Sequence, residues 1–89
     1  MDDPEKLTPE RYEVLKLTQE ISRENDFGVA PIQKLIDIIT SRRGIKSGAV
    51  RKMVWELGRQ GYLENPLRGC WRLTSKGKEL LKEVEGESG

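Results

Sequence analysis

Eighty-nine residues, with hydrophobic and charged fractions of 35% each, make one small domain with a thin core. No stretch approaches the roughly 18 apolar residues of a membrane span, and the acidic opening MDDPEKLTPE carries no secretory signal. With no histidine and Cys70 as the one cysteine, an internal disulfide, the common zinc sets and histidine-based catalysis are excluded, which fits a reducing cytoplasmic setting.

The net charge of +1 hides an uneven distribution. Residues 1–26 hold 4 Lys/Arg against 8 Asp/Glu, residues 27–78 hold 11 against 3, and residues 79–89 hold 1 against 4. A basic middle between acidic ends is the asymmetry of a domain with a polyanion-binding face; scattered surface charge is the plain alternative.

In chain order, Thr8 is a natural N-cap with Pro9 at the first helical position. Val14, Leu17 and Ile21, widened by Tyr12 and Leu15, predict a helix ending near Asn25. FGVA, residues 27–30, has room for a single strand-like pairing. Pro31 opens a second helix on the stripe Ile32, Leu35, Ile36 and Ile39, with Arg42 and Arg43 in its last turn and Gly44 as C-cap. After a short turn, Ser47 reads as the N-cap of a third helix, about 48–60, whose core stripe is Val50, Met53, Val54 and Leu57.

At Gly61 the apolar period changes from 3.6 to 2. Residues 62–65 and 70–73 then read as two strands joined by the turn PLRG. Thr74 N-caps a last helix carrying Leu80, Leu81 and Val84. This divides the chain into an acidic segment 1–7, a domain 8–84 and a frayed tail 85–89. The expected fold is α+β, mainly α: a winged helix-turn-helix with a two-strand wing at 62–73. A three-helix bundle is the competitor, and it leaves the change of period unexplained.

The stretch VRKMVWELGRQGYLENPLRGCWRLTSKGKELL resembles the second half of winged-helix domains. There the third helix closes on a Leu-x-x-x-Gly-Tyr/Leu-Leu/Ile turn, here Leu57 to Leu63, and the wing closes on aromatic-x-Leu-Thr-x-x-Gly, here Trp71 to Gly77. The string Arg68 to Thr74 is most similar to the N-terminal DNA-binding domain of Mrr-type restriction endonucleases; MarR-like and PadR-like regulators and the archaeal MCM C-terminal winged helix are looser matches. The likeness spans most of residues 8–84 and implies a prokaryotic or archaeal kind of small regulator or DNA-binding module. The nuclease domain of the Mrr type has no counterpart here, so cleavage is not implied. In this class the start of the third helix enters the major groove and the wing touches phosphate or the minor groove.

On that basis the candidate DNA contacts are Lys46, Ser47, Arg51, Lys52, Trp55, Arg59, Arg68, Arg72 and Lys76. At about 100° per residue, Arg51, Lys52, Trp55 and Arg59 fall opposite the core stripe of the third helix. Trp55 is either packed under the wing or a contact residue. Trp71 covers the core edge and thereby holds the wing, leaving Arg68 and Arg72 to reach a phosphate backbone. Cys70 is a small strand residue. Double-stranded DNA is the expected partner. A protein-interaction module of a replication or transcription complex, anchored on Trp55, is the alternative suggested by the MCM likeness. No cofactor, metal or enzymatic activity is expected, and monomer and homodimer both stay open.

Overall fold

The computed structural model describes residues 7–88, so the expected acidic segment lies outside the described residues except for Leu7, which packs on the core. The chain is α+β and mainly helical, with the order α1 (Pro9–Glu24), β1 (Ala30–Pro31), α2 (Ile32–Arg43), α3 (Ser47–Arg59), β2 (Leu63–Leu67), β3 (Cys70–Leu73) and α4 (Ser75–Ser88).

Helix α1 begins where the capping rules place it: the Arg11 amide donates to Thr8 Oγ1 at 3.2 Å, and Pro9 needs no N–H partner in the first turn. Its buried face is Val14, Leu15, Leu17, Thr18 and Ile21. The Thr18 hydroxyl, the one buried polar side chain among the described residues, donates to the Val14 carbonyl at 2.6 Å and so enters the core without an orphan donor. Asn25 then organises the exit. Its Nδ2 donates to the Ile21 and Val29 carbonyls, and its Oδ1 accepts from the Gly28 amide at 2.8 Å.

Pro31 belongs to β1 and serves as N-cap of α2 instead of its first residue. Gly44 ends α2 in the left-handed region, at φ 67°, with its amide bonded to the Thr40 carbonyl. Ser47 is not the N-cap of α3. Lys46 takes that position, because its carbonyl already accepts from the Ala49 and Val50 amides, and Ser47 becomes the first helical residue.

The sheet is antiparallel with β3 in the middle, in the order β1-β3-β2. Leu63 faces Leu73 and Glu64 faces Arg72; an irregularity follows before Leu67 meets Cys70. β2 starts one residue later than expected and runs through Pro66, because Asn65 Nδ2 bridges the Leu67 and Cys70 carbonyls. The tip is also pinned: the Ile32 amide, at the start of α2, donates to the Gly69 carbonyl at 2.8 Å.

Alternation along β3 buries Trp71 and Leu73 and leaves Arg72 outside, as the period of two requires. Thr74 joins this hairpin to α4, donating to the Gly61 carbonyl and accepting from the Gly77 amide. The expected boundary at Val84 falls inside α4. α4 continues to Ser88, and Glu85 accepts from Tyr12 Oη at 3.0 Å and from Lys16 Nζ at 2.5 Å on α1. That partner lies 69 to 73 residues away in sequence, beyond the reach of local pattern.

The core gathers Leu15 from α1, Leu35 and Ile39 from α2, Val50, Val54 and Leu57 from α3, Leu63 from β2 and Leu81 from α4. Met53, expected within it, is half-buried at its margin. Among the described residues no helix is long and apolar enough to cross a membrane.

Candidate nucleic-acid interface

Helix α3 buries Val50, Val54 and Leu57, and that choice fixes what the rest of the helix presents. Arg51, Lys52, Trp55 and Arg59 are all exposed. One flank of the helix is taken by α1, where Arg11 Nη2 meets Glu56 Oε1 at 2.5 Å. The other flank is taken by the sheet. There Trp71 lies against Gly58 so closely that a Cβ at residue 58 would be 2.9 Å from its ring. Between these flanks the outward strip carries Arg51, Lys52 and Arg59, none of which has an ion-pair or hydrogen-bond partner among the described residues. Lys46 and Ser47, at the entrance to the same helix, are exposed as well.

The carboxylates of the basic middle are already engaged. Glu56 pairs with Arg11, Glu64 with Arg72, and Asp37 accepts from Gln33 Nε2 at 3.0 Å. None of these carboxylates forms an ion pair with Arg51, Lys52 or Arg59.

Other expected contacts fare differently. Arg72 spans the two strands to Glu64 at 2.5 Å, a cross-strand pair set by the register. Lys76 folds back, donating to the Gln60 carbonyl at 3.0 Å with its ammonium 4.9 Å from the centre of the Tyr62 ring. Lys76 thus acts as a cap for the end of α3 and as a cation–π partner. Arg68 is exposed at the hairpin tip, but that tip is bonded to the start of α2, so the structure does not group it with the α3 strip. Arg42 and Arg43, in the last turn of α2, both hold Glu13 of α1, with Arg42 Nη1 at 3.0 Å. Hydrogen bonding from Arg43, with Arg42 adding to it against the cost of burial, holds the Glu13 carboxyl below its usual range.

Trp55 rests against the hairpin while much of its ring faces solvent. It is 58% exposed, yet its ring meets that of Trp71 edge-to-face, with centroids 5.4 Å apart and planes at 80°. Trp71 itself is 4% exposed and belongs to the core. The residue missed in the sequence is Gly58. Its lack of a side chain is what admits Trp71 to the helix surface, and a glycine at helix position i+3 from an aromatic was the available signal.

A second exposed apolar feature lies elsewhere. Phe27 and Leu67, 78% and 53% exposed, flank a groove of about 520 Å³ with Val29, Pro31 and Cys70 on its walls. Among the described residues no cluster of three His, Cys, Asp or Glu side chains is placed to hold a metal ion. No protein-family model, curated protein or solved structure matches the chain.

Proposed function

We propose that the protein is a winged helix-turn-helix module that binds double-stranded DNA through the exposed strip of α3. The order of elements supports this reading: two consecutive helices, α2 and α3, joined by residues 44–46, then a β2–β3 hairpin and a closing helix. The observation that carries it is the strip itself, where Arg51, Lys52 and Arg59 stand unpaired on one helix face while nearby carboxylates are bound elsewhere. Unpaired cations on a rigid helix are the electrostatic footprint of a phosphate-binding face, and an arginine in the groove also reads guanine O6 and N7 together. Lys46 and the exposed first turn at Ser47 add the positive end of the helix dipole. Arg72 and Lys76 already have partners within the fold, so the proposal rests on the α3 strip and not on the hairpin.

The alternative, a protein-docking module anchored on Trp55, draws on the exposure of that ring. The cations around it favour an anionic partner over an apolar one. The test is fluorescence anisotropy of a labelled duplex of about 20 bp, titrated at about 50 and about 200 mM salt. Binding that weakens steeply with salt supports the DNA reading. Absence of binding at the lower salt overturns it and turns the search toward a protein partner.

A further inference from the structure

The strip on α3 contains a group that phosphate binding does not require. Trp55 has Arg51 four residues before it, Lys52 three before and Arg59 four after, the spacings that make helix neighbours. Among the described residues its one ring contact is with Trp71. That contact leaves the residue 58% exposed, so more than half of Trp55 is open to solvent.

The ring is also braced. Trp71 is buried in the core and lodged against Gly58, so the surface against which Trp55 rests is fixed before any ligand arrives. A largely exposed indole with a buried backing, flanked on the helix by three cations without an ion-pair partner among the described residues, matches a ligand that is both flat and anionic. An apolar protein patch would have to desolvate those cations without compensation. In a continuous duplex every base face is covered by its neighbours, and only base edges and phosphates are reachable from a groove.

Resting on the DNA reading above, we infer that Trp55 is a base-stacking platform and that the preferred ligand is duplex DNA with an unpaired, extrahelical base. The base stacks on the indole while Arg51, Lys52 and Arg59 hold the flanking phosphates. Stacking of one base on an aromatic side chain strengthens binding by roughly fivefold to a hundredfold.

The experiment compares two labelled duplexes of about 20 bp, one continuous and one with a single bulged adenine, at about 50 mM salt. The proteins are the wild type, Trp55→Leu and Trp55→Phe. A thermal melt of each variant accompanies the titrations, since Trp55 touches Trp71. The wild type should bind the bulged duplex about tenfold more tightly, with quenching of tryptophan fluorescence. Trp55→Leu should lose the preference and bind both duplexes alike, and Trp55→Phe should keep part of the preference. Equal wild-type binding of the two duplexes overturns the stacking inference and leaves the DNA reading standing. A preference that survives in Trp55→Leu overturns it too. Failure to bind either duplex overturns both.

Discussion

At the scale of single residues, two glycines of α4 separate space from conformation. A Cβ at Gly77 would lie 2.2 Å from the Tyr62 carbonyl oxygen, which also accepts the Thr74 amide, so backbone would have to move. Gly77→Ala should therefore destabilise the protein by about 1–3 kcal/mol, read as a lowered midpoint in chemical denaturation. Gly86 sits in the same helix with nothing within 4 Å of its Cβ position. There alanine should stabilise by about 0.5–1 kcal/mol, through helix propensity alone. Opposite signs for one substitution in one helix would tie the Thr-x-x-Gly string to the close approach of α4 and the end of α3. Equal effects would count against that account. From the sequence, Gly77 reads as part of a motif; its reason, a carbonyl fifteen residues earlier, belongs to the folded chain.

Between elements, the contacts that matter are those joining segments distant in sequence. Capping and periodicity place α1, α2 and α4's start closely, since Thr8, Gly44 and Thr74 act within a turn of their own helix. The hairpin follows from the change of period, while the partners of Arg72 and Lys76, Glu64 and the Gln60 carbonyl, are chosen by register and packing. Trp71 is the piece that joins sheet to helix. Trp71→Ala should cost about 3–5 kcal/mol in thermal or urea unfolding, since it empties a site lined by Gly58 and the core.

The α1–α2 junction is electrostatic and gives a pH test. Glu13, held by Arg43 and Arg42, has its folded carboxyl below the ordinary value of 4.5. A depressed carboxylate contributes stability above its unfolded pKa and loses it as pH falls through the lower folded value. The melting temperature of wild type should therefore exceed that of Glu13→Gln at pH 7, with the gap narrowing as pH falls below 4.5. A gap that is constant with pH would assign the difference to packing.

For the molecule as a whole, the basic middle divides into charges paired within the fold and charges with no ion-pair partner among the described residues. Arg42, Arg43 and Arg72 are of the first kind, Arg51 and Lys52 of the second. Arg51→Ala with Lys52→Ala should leave the melting temperature near that of wild type. In the proposed complex each side chain would neutralise one phosphate, so the slope of log K against log salt should become shallower by about 2. An unchanged slope would place the DNA elsewhere on the surface. The division is invisible in the amino-acid string, where all five are cations in a basic run.

The bond from the Ile32 amide to the Gly69 carbonyl has a consequence of its own. First-turn amides of a helix lack an intrahelical acceptor, and Pro31, as N-cap, offers α2 no side-chain oxygen. This amide finds its acceptor in the hairpin tip, thirty-seven residues along the chain. It is thus a built-in gauge of whether the tip is seated: deuterium should enter Ile32 slowly while the hairpin is down and rapidly each time it lifts. Exchange at that single position, followed with and without DNA, would time the hairpin's motion at its tip.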